Sequence, residues 1–158
     1  MHPNHRRLQG IPVRTFTVII HDLPQARAAI DAAAAAQVRV ELRSPPGGAT
    51  TLGPGVFKAM DIALNRDGTA PDTPLILDCG NDAGLAMAAI RHGCRHIGID
   101  AAETITAKLR GLAASADVCV HGPATQVLDL GADPMLTGSS ESLSASFGAY
   151  FNGGPPNA

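Results

Sequence analysis

The chain has 158 residues, the length of one domain able to bury a core. Its 12 basic and 14 acidic residues give a net charge of −2, which removes the electrostatic case for nucleic acid, and no run reaches the roughly 18 apolar residues of a membrane span. Three cysteines, odd in number and without C-x-x-C spacing, exclude a disulfide framework and a zinc knuckle and predict reduced thiols in a cytoplasmic protein.

The first ten residues, "MHPNHRRLQG", are locally basic but lack the apolar core of a signal peptide. Residues 1–12 read as a flexible segment before an α/β domain over 13–122. "RTFTVII" (14–20) is β-branched and apolar, the pattern of a buried strand. "LPQARAAIDAAAAAQ" (23–37) predicts a helix with Pro24 in its first turn. "VRVELR" (38–43) alternates strictly, with Val38, Val40 and Leu42 on one face and Arg39, Glu41 and Arg43 on the other. "SPPGGATTLGPG" (44–55) reads as a turn-rich loop, and "VFKAMDIALNR" (56–66) as a helix. After a second loop at 67–73, "PLILD" (74–78) is a buried strand and "DAGLAMAAIRHG" (82–93) a helix closed by glycine. "RHIGID" (95–100), "AAETITAKLRGLAAS" (101–115) and "DVCVHG" (117–122) give a strand, a helix and a fifth strand.

This alternation predicts a parallel sheet of βαβ units. The first and third strands are apolar on both faces and suit the centre, whereas the charged second strand suits an edge. The expected architecture is therefore a three-layer αβα sandwich with five strands in the flavodoxin-like order 2-1-3-4-5. A fragment of a β/α barrel is the rival, although five strands do not close alone. Residues 123–158 are rich in Gly, Ser and Pro and read as a tail. Within it, 141–151 places Leu143, Phe147, Tyr150 and Phe151 on one helical face, fit to fold back on the domain or to dock on a partner. With aromatics at 3% and no Trp, the core is built from small aliphatic residues, which favours self-association as a homo-oligomer.

In open parallel sheets ligands bind beyond the carboxyl ends of the strands. Those ends carry His21 and Asp22, Arg43 and Ser44, then Asp78, Cys79, Gly80, Asn81 and Asp82, then Asp100, then His121. Asp82 is the better helix cap, which leaves Asp78 as the leading catalytic candidate. His21 and His121 are its acid–base companions. Cys79 lies before a helix N-terminus, where a thiol can be activated. His21, Asp22, Asp78 and His121 offer metal donors, but no ligand spacing marks them and the reading carries no metal. His92 and His96 read as surface residues toward the opposite edge. The glycines of 44–55 expose N–H groups suited to an anion, yet Pro54 stands where a Walker lysine would be, and no dinucleotide motif or cofactor signature is present. Asp22, Arg43, Ser44, Gly47, Gly48, Gly80, Asn81 and Asp100 form the expected binding set for an anionic small molecule.

The layout over residues 16–123 resembles a response-regulator receiver domain. "VIIHD" supplies an acid at Asp22 after the first strand, "LILD" places Asp78 at the acceptor position, and "SADVCVHGP" is similar to the receiver ending, with His121 in place of lysine. "HIGIDA" lacks the hydroxyl residue that receivers carry after the fourth strand, so the resemblance extends to layout and does not support phosphoryl acceptance at Asp78. Residues 16–46 also resemble a β/α unit of keto-deoxy-phosphogluconate aldolase, although no strand-end lysine is present for a Schiff base. Two functions follow as expectations: an anion-binding α/β domain, or a non-catalytic receiver-like module that oligomerises or docks through its C-terminal segment.

Overall fold

The computed structural model describes residues 14–66, 73–132 and 140–153. The N-terminal segment 1–12, most of the loop at 67–73, the stretch 133–139 and the terminal 154–158 lie outside the described residues. Among the described residues six strands form one parallel sheet: β1 (Thr15–Ile19), β2 (Arg39–Arg43), β3 (Leu75–Asp78), β4 (His96–Gly98), β5 (Cys119–His121) and β6 (Val127–Asp129). Their order is β5-β4-β3-β2-β1-β6, with every neighbour parallel. This corrects the expected five strands in order 2-1-3-4-5. Strand β2 is interior, and the charges that suggested an edge mark one face of it instead.

The helices are α1 (Leu23–Ala36), α2 (Gly48–Thr51), α3 (Gly53–Arg66), α4 (Ala83–Arg91), α5 (Glu103–Ala114) and α6 (Ser140–Gly153). Residues 44–55 are thus largely helical rather than loop, because Gly47 and Gly53 adopt the positive φ values (66° and 74°) that let the chain turn between short helical pieces. Asp22 caps α1 by accepting the Gln25 N–H at 2.8 Å, and Asp82 caps α4 by accepting the Gly84 and Leu85 N–H groups at 2.8 and 3.1 Å.

One apolar core holds the molecule together. It joins Phe16, Val18, Val40, Leu42, Leu75, Leu77 and Ile97 to buried residues of α1, α3, α4, α5 and α6. Ile19 and Ile76 are also buried but lie outside that cluster. They occupy the alternate strand positions, which point to the other face. Among the described residues the long helices therefore cover a single face, so a two-layer arrangement replaces the expected αβα sandwich. Consecutive strands β1 to β5 are neighbours, and right-handed crossovers put each connecting helix on the same side.

The sheet must also curl. Edge strands β5 and β6 are five inter-strand spacings apart, roughly 24 Å if the sheet were flat. Only residues 122–126 connect them. Six Cα steps from His121 to Val127 reach at most about 22 Å, less than the flat separation even before the offset along the strands. The sheet consequently bends toward a barrel, with helices on the convex face. Its concave face carries Thr17, Ile19, Glu41, Arg43, Ile76, Asp78, His96, Gly98 and His121 by register.

The segment read from sequence as a tail supplies both β6 and α6. Phe147, Tyr150 and Phe151 of α6 are buried in the domain's own core. The Phe16 ring meets those of Tyr150 and Phe151 edge-on, with centroids 5.1 Å away in each case. The Tyr150 hydroxyl donates to the Thr17 carbonyl at 2.9 Å.

Candidate functional site at the carboxyl mouth of the sheet

Alternation along β2 directs Arg43 into the concave face at the last position of the strand. Its side chain is only 4% exposed. Nε donates to Asp78 Oδ2 at 3.1 Å, and Nη2 donates to the Gly122 carbonyl at 2.9 Å. Arg43 thereby spans from β2 over β3 and β4 to the end of β5, a reach that the curl of the sheet permits. Gly98 of β4 permits it too, since a Cβ there would collide with the Arg43 guanidinium.

Asp78 ends β3 and organises the mouth. Its Oδ1 accepts the N–H groups of Gly47 and Gly80, each at 2.9 Å, while its own N–H donates to Ser44 Oγ at 2.9 Å. Gly80 takes a positive φ of 58°, which turns its N–H back to the carboxylate. The Gly-rich segment does present an amide to an anion, and that anion is the chain's own Asp78. The Gly48 N–H is also taken, by the Pro45 carbonyl at 2.8 Å.

Above these residues lies a cavity of about 260 Å³. Arg43, Ser44, Gly47, Asp78, Gly80 and Asp100 form its polar wall, with Ile19 and Val127 contributing apolar surface and Pro123 and Ala124 closing it from the β5–β6 connection. Arg43 Nη1 has no hydrogen-bond partner among the described residues. No buried side-chain donor among them is left without a partner either, so Nη1 meets accessible space. The space that Arg43 lines is this cavity.

Five members of the expected binding set, Arg43, Ser44, Gly47, Gly80 and Asp100, line the cavity together with Asp78. Gly48 is buried in α2, where a Cβ would press on Ser44. Asp22 caps α1, and Asn81 is exposed beyond the lining. The two histidines are not brought to the cavity or to each other. His21 Nε2 lies 2.7 Å from Asp129 Oδ1 on β6. His121 Nε2 lies 3.1 Å from His96 Nδ1. His96 is half-buried on the concave face rather than on the outer surface. Burial pushes His96 and His121 below the ordinary histidine value, and the neighbouring His121 lowers His96 further.

Cys79 is buried at 1% exposure, and burial together with the adjacent Asp78 pushes its thiol up to about 12. The thiolate needed for nucleophilic attack is therefore disfavoured. No group of three or more His, Cys, Asp or Glu among the described residues is arranged to hold a metal. Sequence reading missed Gly122 and Gly98 as determinants of the Arg43 position, and Asp129 and His96 as histidine partners. The clue to Gly98 was a glycine inside a strand pattern, which often marks close approach of another group. No protein-family model matches the chain, and neither a curated protein nor a solved structure shows significant similarity to it.

Proposed function

We propose that the chain is a small-molecule-binding domain that holds the anionic group of its ligand against Arg43 at the carboxyl mouth of the sheet. One observation carries this reading: Arg43, a guanidinium at 4% exposure that lines the cavity, keeps Nη1 without a partner among the described residues. A buried charge normally satisfies its donors within the protein, so an unused donor facing a cavity is suited to an incoming acceptor. Carboxylates and phosphates are the strong acceptors for arginine. Asp78 acts as a positioning residue, fixing Arg43 and the Gly47 and Gly80 turns.

A homo-oligomer in a reducing, cytoplasmic setting belongs to the same proposal. Helix α5 exposes Ile105 and Leu112, two turns apart, and all three cysteines are free thiols. The alternative of docking through the C-terminal segment has less support, since the aromatic face of α6 is packed in the domain's own core.

The test is a thermal-shift screen of small carboxylates and phosphates with the wild-type chain and Arg43→Met. Binding that stabilises the wild type and is absent in the folded variant is expected. Equal stabilisation of both proteins overturns the reading.

A further inference from the structure

We infer that the ligand is a singly charged carboxylate bearing a hydroxyl or amino group, rather than a phosphorylated or dicarboxylic compound. This rests on the reading that the mouth takes an anion through Arg43.

Three observations point to that class. The first is charge. The lining contains one cation, Arg43, and two anions, Asp78 and Asp100, for a formal sum of −1. A second negative charge on the ligand would face two carboxylates, with no further cation in the lining among the described residues.

The second is the donor supply. A phosphate offers three strong acceptor oxygens, yet the Gly47 and Gly80 N–H groups are already occupied by Asp78, and Arg43 Nε and Nη2 by Asp78 and Gly122. What remains among the side-chain donors of Arg43 is centred on Nη1, enough for a carboxylate.

The third is Asp100. It is exposed at the rim, and its side chain makes no hydrogen bond or ion pair among the described residues. Only its main-chain N–H is engaged, with the Gly80 carbonyl at 2.8 Å. A carboxylate in the same lining as an arginine donor fits a ligand that accepts at one end and donates at the other. The cavity of about 260 Å³ lies below the ~300–1,000 Å³ of pockets for drug-sized ligands, so the molecule is small.

Isothermal titration with glycolate, malonate and inorganic phosphate at neutral pH tests the inference. Glycolate is expected to bind at least about tenfold more tightly than the other two. Asp100→Asn is expected to narrow that gap by strengthening malonate and phosphate. Phosphate or malonate binding as tightly as glycolate overturns the inference, and so does a gap unchanged in Asp100→Asn. In either case, binding that is lost in Arg43→Met leaves the mouth reading intact. If none of the three binds, or if binding survives Arg43→Met, both fall. Should Arg43→Met fail to fold, Ala124→Phe fills the cavity from the connecting segment and must also abolish binding.

Discussion

Arg43 Nε and Asp78 Oδ2 lie 3.1 Å apart on adjacent strands, with side chains 4% and 17% exposed. Removing one member of such a pair strands a buried charge, at a cost of about 3–5 kcal/mol. Asp78→Ala should lose stability on that scale, since the Gly47 and Gly80 N–H groups lose their acceptor as well. Asp78→Asn keeps an acceptor oxygen and should cost less. Arg43→Met combined with Asp78→Leu should be less destabilised than Asp78→Ala alone. Urea unfolding of the four proteins checks the ranking, and equal midpoints for wild type and Asp78→Ala would contradict it.

Gly98 and Arg43 are coupled by close approach. A Cβ at position 98 would also lie 3.3 Å from Ile76 Cγ2, so Gly98→Ala should cost about 1–3 kcal/mol by overpacking. Shortening the clashing group should restore part of that loss in Gly98→Ala/Arg43→Met. A double-mutant cycle measures the coupling. Additive losses would show that Arg43 does not lie over β4.

The His96–His121 contact predicts sensitivity to acid. Both folded values lie below the ordinary histidine value of 6.5, chiefly through burial, so the folded state favours neutral imidazoles. Their contribution is present above pH 6.5 and is lost as pH falls through the lowered folded values. Facing or nearby charges are Glu41, Arg43, Asp61 and Arg95. Denaturation midpoints should drop on acidification through that range, and His96→Gln should flatten the drop. An unchanged slope in the variant would place the acid sensitivity elsewhere.

Thiol reactivity should follow burial. Cys79 and Cys94 are buried, and Cys119 is exposed. Burial raises the Cys94 thiol too, as it does that of Cys79. Iodoacetamide on the native protein should therefore label Cys119 first, as read by peptide mass spectrometry. Early labelling of Cys79 would contradict its placement in the core.

Much of this was legible in the sequence for identifiable reasons. Local chemistry fixes the helix starts, as at Pro24 and Asp82, and apolar runs mark β1 and β3. The clustering of Arg43, Ser44, Asp78 and Asp100 followed from their shared place at the carboxyl ends of parallel strands, an edge set apart from its equally polar opposite by residue chemistry and glycine content. Strand order did not. In β2, Arg39, Glu41 and Arg43 imitate the exposed face of an edge strand, but two of these charges meet partners across the sheet. Glu41 accepts from the Thr17 hydroxyl at 2.6 Å, and Arg43 is held by Asp78 and Gly122. Such partners are long-range and carry no local pattern. Strand β6 has only three residues, Val127–Asp129, too few for periodicity to register. Its pairing with β1 depends on the curl, which depends in turn on the short connection from β5.

The most direct test of the account is an NMR titration of the ¹⁵N-labelled protein with glycolate, following the Arg43 side-chain N–H signals beside the backbone amides. Arg43 should shift together with Ser44, Gly47, Gly80 and Asp100, while the amides of His21 and Asn81 hold still. Shifts centred on any other part of the molecule, or an unmoved Arg43 at saturating glycolate, would contradict it.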